Sequence, residues 1–359
     1  MTRGSSRITH RASLLHTRWL YLVLGAVVVM LHVWGGRHGG LGSFRPLERS
    51  AHDATQFSTE QFWNQELDPA KTVAVLQHKP LLALWLGWWT TLAAGFCVTG
   101  VVLSIRAIWA RKLGRLFRYR APRPPAWSLG ELARIVALLV VMVSLLPLVH
   151  LNLVAWWLPR FADQRLWGVA SMIALDGWLL LVVWGFAKTK SRVPSAALGL
   201  SWRTSTRAIV QGLTAYAGLF PWIFGLLWLI VKIATQLGMQ PPIEPIHELL
   251  FIEQRPLTIV LTAILACVVG PVAEEVFFRG VLFGALRRHT SRAVAMLTSG
   301  ALFAAVHTNL IGFVPILILG CLLADLYERS GSLLSPIAVH VVHNTFLVGV
   351  SLTAKALLG

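Results

Sequence analysis

Long apolar stretches alternate with short polar loops along most of the chain. Nine stretches are long and hydrophobic enough for membrane-spanning helices, because about 20 apolar residues are needed to cross the hydrocarbon core. They cover residues 19–35, 81–105, 133–157, 166–187, 208–233, 257–286, 293–309, 311–328 and 335–353. The pattern predicts an all-α, polytopic transmembrane helical bundle with about nine spans. The first stretch is long and Trp-flanked, so we do not expect a cleavable signal peptide.

The composition supports a multi-pass protein of a cell membrane. Hydrophobic residues make up 56% of the chain and charged residues 13%, whereas soluble domains average about 25% charged residues. The net charge of +17 does not indicate a nucleic-acid partner, because the basic residues lie in short loops between apolar stretches and form no basic stripe on a soluble module. The expected non-protein partner is the lipid bilayer.

The loop charges predict the orientation of the bundle. Basic residues outnumber acidic ones in every second loop, which is the pattern of cytoplasmic loops. These loops are the N-terminal 18 residues, 106–132, 188–207 and 287–292. The intervening loop 36–79 balances five basic against five acidic residues, and 234–256 is mainly acidic. The N-terminus is therefore expected inside and the C-terminus outside.

The polar residues inside apolar stretches divide the chain into two regions. Residues 1–207 are interpreted as a variable N-terminal membrane region with four spans and basic cytoplasmic loops. Residues 208–359 are interpreted as the catalytic membrane core, because ionisable residues within the spans concentrate there. No internal repeat is visible in the sequence.

The segment PVAEEVFFRG places two carboxylates and a guanidinium within one predicted span. An ionisable residue in a span costs about 2.5–3.5 kcal/mol by insertion scales and indicates a functional site. Glu275 and Arg279 are four residues apart, share a helix face and can pair. Glu274 points about 100° away and is expected to face another group. The alternative, without a catalytic role, is that the Glu275–Arg279 ion pair only stabilises the packing of the helices.

Two further polar motifs lie in the following predicted spans. His307 ends the segment FAAVH, and His340 and Asn344 share a helix face in HVVHN. Glu275 and His307 are each sixteen residues from residue 291, so an antiparallel hairpin places them at matching depth. His340 lies too near the start of its span to match, unless the loop 329–334 is recessed into the protein.

Other polar residues in the spans have weaker functional interpretations. A histidine in a membrane helix often serves only as a hydrogen-bonding group between helices. His343 is interpreted as a packing residue, and Asp176 in the fourth stretch has no explanation from the sequence.

The three motifs together resemble those of a known protease family. EEVFFR, FAAVH and HVVHN match the EExxxR, FxxxH and HxxxN motifs, in that order, of the type II CAAX prenyl endopeptidases and their bacterial CPBP (CAAX protease/Abi) relatives. The resemblance covers about residues 250–350. It implies an intramembrane endopeptidase acting on membrane-embedded or lipid-associated peptide or protein substrates.

The resemblance also implies a role for each motif residue. Glu274 would activate water as the base, His307 would help to hold that water, and Glu275 with Arg279 would orient the other groups. His340 and Asn344 would stabilise the oxyanion. The family is usually described as metalloproteases, so zinc is one option. The sequence lacks the H-E-x-x-H pattern of many zinc proteases, and a metal-free glutamate mechanism is equally consistent with it.

Two other function classes remain open from the sequence. A non-catalytic immunity or scaffold protein of the same family would not need all six motif residues. A proton-coupled transporter also uses intramembrane carboxylates and histidines, but it predicts a repeat of broken helices. We therefore expect a protease with a site inside the bilayer that is reached from the cytoplasmic side.

Overall fold

The computed structural model describes residues 21–26, 69–109, 127–150, 163–191, 193–200, 205–239, 245–307 and 309–358. This part of the chain is helical and contains no strand. Beyond a helical segment at 21–26 and a short turn at Pro194–Ala197, ten helices follow in order. They are α1 Pro69–His78, α2 Pro80–Trp109, α3 Leu129–Val149, α4 Gln164–Lys190, α5 Ser205–Gln236, α6 Pro245–Ile252, α7 Pro256–His289, α8 Arg292–Val306, α9 Phe313–Ser330 and α10 Leu334–Leu358.

The polytopic helical bundle predicted from the sequence is confirmed. Six of the described helices, α2, α3, α4, α5, α7 and α10, are long and apolar enough to cross a membrane. The predicted first span, 19–35, lies mostly outside the described residues. The predicted third span extended to residue 157, but the description of α3 and the turn after it ends at residue 150.

Neither helix of the α8–α9 hairpin is among the six that are long and apolar enough to cross a membrane. α8 has 15 residues and is therefore about 22 Å long, whereas the hydrocarbon core is about 30 Å thick. α9 has 18 residues and carries Asp325, Glu328 and Arg329 near its end. The hairpin therefore places its tip, around residues 307–312, within the bundle at about the depth of the middle of α7.

The connection between the last two predicted spans is recessed into the bundle, which is the condition under which His340 can reach the depth of Glu275. Gly331 ends α9 with a φ of 63°, a left-handed conformation that glycine adopts without strain. Ser332 and Leu333 are almost completely buried, and the Leu333 amide donates to the Gly199 carbonyl oxygen. A Cβ at Gly280 of α7 would lie 3.5 Å from the Leu333 side chain. α10 therefore begins deep in the bundle, level with residue 280 of α7.

The short helix α6 lies in a segment that the sequence analysis treated as a loop. Its end is held by Glu253, which is buried and accepts hydrogen bonds from the Arg255 guanidinium at 2.9 and 2.7 Å. The same guanidinium bonds Asp163 at the start of α4, and Lys355 of α10 contacts the Glu253 carbonyl. The hydrogen bonds from Arg255 lower the pKa of Glu253 to about 2, so this network stays ionised near neutral pH and joins three helices at one end of the bundle.

Helices from the predicted N-terminal region pack into the same core as α7. Ile135 of α3, Phe186 of α4 and Phe283 of α7 belong to one buried apolar cluster. At the end of the bundle opposite α6, Lys190 of α4 pairs with Glu131 of α3 at 2.8 Å. The division of the chain at residue 207 stays a prediction, but α4 is part of the immediate surroundings of α7.

The contact between α2 and α5 predicts a packing-sensitive glycine. A Cβ at Gly100 would overlap the Ala217 carbonyl oxygen and lie 2.6 Å from Cδ of Pro221. We expect Gly100→Ala to destabilise the protein by about 1–3 kcal/mol, as overpacking does, and to lower the melting temperature in detergent. Gly95→Ala is the matched control on the same helix, because nothing lies within 4 Å of its Cβ position. Equal melting temperatures for the two variants would contradict the predicted close packing.

Candidate active site

A local widening of helix α7 precedes the two adjacent glutamates. The Gly270 amide donates to the Leu265 carbonyl, five residues back, instead of the usual four. In this register the Ala266 carbonyl would face residue 271, but Pro271 has no N–H to donate. The side-chain amide of Asn344 on α10 supplies the missing donor at 2.9 Å. Wide turns of this kind occur often at functional sites.

Glu275 forms the centre of a buried polar network. One of its oxygens, Oε1, lies 2.8 Å from Arg279 Nη1 and 2.9 Å from His340 Nδ1. Glu275 and Arg279 are 0% exposed and His340 is 2% exposed. The guanidinium also donates to the Gly320 carbonyl of α9. The predicted pairing of Glu275 with Arg279 is present, and it connects α7, α9 and α10.

The aromatic ring of the FAAVH motif covers this network. Phe303 of α8 is 1% exposed, and the Arg279 guanidinium lies 4.3 Å from its ring centroid. The same ring contacts the imidazoles of His307 and His340 at centroid distances of 4.8 and 5.5 Å. A cation over an aromatic face is stabilised further when it is desolvated. Phe303 therefore separates the charged network from the surroundings and positions both histidines.

Glu274 faces a cavity, as expected from its angular offset on the helix. Its side chain is 34% exposed, while the neighbouring Glu275 side chain is completely enclosed. The cavity has a volume of about 460 Å³ and is lined by residues of α4 to α10. His340 Nε2 lies 3.8 Å from Glu274 Oε2. Two adjacent carboxylates therefore have different surroundings, and only Glu274 is open to a bound molecule.

His307 lines the same cavity at the tip of the α8–α9 hairpin. Its Nδ1 lies 2.7 Å from the Phe303 carbonyl oxygen. A carbonyl can only accept a hydrogen bond, so Nδ1 carries the proton and Nε2 of the neutral ring is an acceptor. The structure thus brings His307, Glu274, His340 and Asn344 to one cavity, and places Glu275 and Arg279 behind it.

His343 has the packing role that the sequence analysis favoured. Its Nδ1 lies 2.9 Å from the Tyr216 hydroxyl of α5, and its ring contacts those of Tyr216 and Phe224. The residue also reaches the cavity wall, but these contacts anchor α10 against α5.

Four polar residues of the cavity wall were not assigned to the site from the sequence: Asp176, His247, Asn309 and Ser351. His247 of α6 lines it and contacts the Ser351 hydroxyl of α10 through Nδ1 at 2.9 Å. The signal for it was the short apolar segment PIHELLFI, bounded by Pro245. Asp176 of α4 also lines the cavity; it was noticed in the sequence, but its distance along the chain from the motifs concealed its place beside Glu274.

The position of the cavity conflicts with the expected access from the cytoplasm. From Glu274 the cavity extends toward Leu265, His247 and Ser351, at the α6 end of the bundle. The basic turn 287–292 lies at the opposite end of α7. If this turn is cytoplasmic, as the loop charges predict, the cavity lies in the outer half of the membrane. The predicted orientation and the predicted cytoplasmic access therefore cannot both hold.

The cavity residues do not form a ready zinc site. Within the described ranges, no three His, Cys, Asp or Glu side chains are grouped so that they could hold one metal ion. Structural and catalytic zinc sites need at least three protein ligands at about 2.0–2.3 Å. The described residues of the cavity therefore do not fit a zinc centre.

Comparisons with known proteins identify the family. The model of the family described as type II CAAX prenyl endopeptidase Rce1-like matches residues 256–346, which contain all three motifs. A putative membrane peptidase, YdiL, of Bacillus subtilis (strain 168) is 32% identical over 188 residues, which are 52% of this chain and 71% of the relative. The fold and these matches define a membrane protein of a protease class.

The chain belongs to the CPBP (CAAX protease/Abi) family, as its three motifs indicated. Two further relatives cover less of their own length. An uncharacterized 24.3 kDa protein of Escherichia coli is 29% identical over 133 residues, 35% of this chain and 61% of the relative. UPF0177 protein YxdF of Lactococcus lactis subsp. lactis (strain IL1403) is 34% identical over 80 residues, 22% of this chain and 44% of the relative. No solved structure matches the chain.

The buried network predicts that Arg279 is required for stability. Arg279→Ala leaves the enclosed Glu275 carboxylate without its guanidinium, and breaking a buried pair in this way costs about 3–5 kcal/mol. We expect a lower melting temperature and less monodisperse protein in size-exclusion chromatography. Arg288→Ala is the control, because Arg288 is exposed on the same helix and should change stability by less than about 0.5 kcal/mol. An Arg279→Ala protein with wild-type stability would contradict the role of the network.

Proposed function

We propose that this protein is an intramembrane endopeptidase in which Glu274 activates the attacking water. The observation that carries the proposal is the contrast between the two glutamates: Glu275 is enclosed in an ion pair, whereas Glu274 opens onto a cavity within the bundle. A general base must reach the proton it removes, and only Glu274 of the two can do so. Membership of a protease family supports this chemistry.

His307 is proposed to align the water with Glu274. Because its Nδ1 proton is engaged by the Phe303 carbonyl, the neutral ring offers Nε2 as an acceptor for one water proton. Glu274 accepts the other proton as the water oxygen attacks the peptide carbonyl. Glu274 then returns this proton to the amine nitrogen as the C–N bond breaks, so that one carboxyl serves as base and then as acid.

His340 and Asn344 are proposed to stabilise the oxyanion. The His340 Nδ1 proton is used by Glu275, so Nε2 can donate to an oxyanion only when the ring is an imidazolium. Asn344 gives one amide hydrogen to the Ala266 carbonyl and keeps a second for the oxyanion. Preorganised donors of this kind each contribute about 3–4 kcal/mol to transition-state stabilisation.

The proposed substrates are membrane-embedded or lipid-associated peptides and proteins. The cavity lies among the spans and its walls are largely apolar, so a substrate segment can enter from the bilayer without crossing a polar surface. Prenylated C-terminal substrates follow only from the name of the matching family. The immunity or scaffold alternative gains no support from the structure, because the described part of the chain keeps the motif residues around one cavity.

The base role predicts a specific loss of activity in Glu274→Gln. The substitution removes the carboxylate and keeps the volume, so we expect about 10²–10⁴-fold slower cleavage with an unchanged melting temperature. Mass spectrometry of membrane peptides from cells expressing wild-type or Glu274→Gln protein provides the measurement, because substrates accumulate and products disappear. Glu275→Gln is the comparison variant. Because Glu275 belongs to the buried network, this substitution should lower the melting temperature, whereas Glu274→Gln should not. Wild-type processing by Glu274→Gln would refute the catalytic role and support a scaffold function.

A second prediction separates the glutamate mechanism from a zinc mechanism. We expect purified protein to keep its activity toward a substrate found in this way after treatment with 1,10-phenanthroline and removal of metal, because Glu274 and His307 suffice to activate water. Metal analysis of the same samples is the accompanying measurement. About one zinc per chain, with activity that is lost on chelation and returns with zinc, would overturn the metal-free mechanism.

A further inference from the structure

Asp176 is a carboxylate inside a membrane span that none of the family motifs includes. It lies near the middle of α4, Gln164–Lys190, and lines the same cavity as Glu274. Ionisable residues at this depth are almost always paired or functional. Within the described residues, no hydrogen-bond donor or ion-pair partner of the Asp176 side chain is found. Its position next to the proposed base therefore calls for a functional explanation.

Asp176 and Glu274 face each other across a glycine. A Cβ placed on Gly270 would lie 3.8 Å from Glu274 Oε1 and 3.9 Å from Asp176 Oδ2. The absence of a side chain at residue 270 thus leaves open the space between the two carboxylates. The other oxygen of Glu274, Oε2, is enclosed and has no hydrogen-bond partner in the described part of the chain. A donor that enters the cavity can therefore reach Asp176 Oδ2 over Gly270, whereas Glu274 Oε2 stays enclosed.

No fixed cation of the protein compensates these two carboxylates in the cavity. None of the described residues that line it is a lysine or an arginine. Arg279 is fully enclosed and bonded to Glu275. The histidines of the cavity wall already have contacts through Nδ1: His307 with a carbonyl, His247 with Ser351, His343 with Tyr216 and His340 with Glu275. The group that complements the negative charge of the cavity is therefore a cation on a bound molecule.

The remaining walls suit the aliphatic part of a long basic side chain. Met172 and Leu175 lie within one turn of Asp176 on α4, and Ile223 and Leu227 line the cavity from α5. Lysine and arginine bury their methylene groups against apolar surface while the charged end reaches a polar partner. The cavity matches such a side chain, because its apolar walls lead to two carboxylates.

We propose that Asp176 is a specificity-determining residue that binds a lysine or arginine side chain of the substrate next to the scissile bond. The inference rests on the proposed peptidase function, because it places the bound residue beside Glu274. The cation would bind the Asp176 carboxylate, across Gly270 from Glu274, so that Glu274 Oε1 stays available to the attacking water. Its methylene groups would pack against α4 and α5.

A binding experiment tests the cation site without relying on cleavage. The probes are n-octylammonium and 1-octanol, which share an apolar chain and differ in charge, added to purified protein in detergent. We expect octylammonium to bind wild-type protein at least about tenfold more tightly than octanol, a difference that Asp176→Asn abolishes. Asp325→Asn is the matched control, because Asp325 pairs with Arg329 outside the cavity. Equal binding of the two probes to wild-type protein would overturn the proposal.

A cleavage experiment tests the specificity itself. Membrane-soluble peptides that carry Lys, Met or Glu at each position around a fixed core are digested, and the ratio of kcat/KM for Lys over Met is measured. We expect a preference on the order of 100-fold in wild-type protein, reduced to near unity in Asp176→Asn and kept in Asp176→Glu. Loss of the preference in Asp176→Glu as well as Asp176→Asn, with both proteins folded, would show a structural role and contradict the proposal.

The two experiments distinguish failure of this inference from failure of the proposed function. Octylammonium preference without cleavage of any peptide would refute the peptidase and retain a cation site at Asp176. Cleavage without any preference for Lys would retain the peptidase and refute the role of Asp176.

Discussion

The architecture of the core depends on one enclosed ion pair. A charge buried in a membrane protein is tolerated only when it is paired and hydrogen-bonded, and Glu275 with Arg279 meets this condition through contacts to three other helices. His340 of α10, the Gly320 carbonyl of α9 and the Phe303 ring of α8 all approach the pair. Helices that are far apart in sequence are thereby fixed at one depth, and this depth is where the cavity opens.

The same constraint gives the two adjacent carboxylates different surroundings. Successive helical residues point about 100° apart, so burying Glu275 in the network turns Glu274 toward the cavity. The wide turn at Leu265–Val269 and the missing N–H of Pro271 add a second requirement, because the Ala266 carbonyl needs a donor. Asn344 satisfies it and is held one helical turn beyond His340. The helix defect and the ion pair together bring the HVVHN motif to Glu274.

The sequence was sufficient for features that depend on local periodicity and failed for those that depend on packing. The four-residue spacing predicted the Glu275–Arg279 pair. The depth mismatch of His340 showed only that a recessed connection before α10 was needed, and the packing supplies it. Hydropathy alone could not show that α8 is too short to cross the membrane, because the stretch predicted as a span, 293–309, ends only three residues after the helix does. Asp176 and His247 reach the cavity from helices whose sequences carry no motif, so only the packing of α4 and α6 against α7 and α10 reveals them.

The depth of the cavity limits how a substrate can reach Glu274. The cavity extends from the middle of α7 toward α6, where Glu253, Arg255 and Asp163 join the helix ends through ion pairs. This network closes the end of the bundle around the start of α7, while large apolar side chains such as Trp222 and Trp228 of α5 are exposed on the outer surface of the bundle. A hydrophobic substrate segment loses little by moving from lipid to such a surface, whereas breaking the ionic network carries a large cost. For the proposed peptidase, lateral entry from the bilayer is therefore the route that the charge distribution favours.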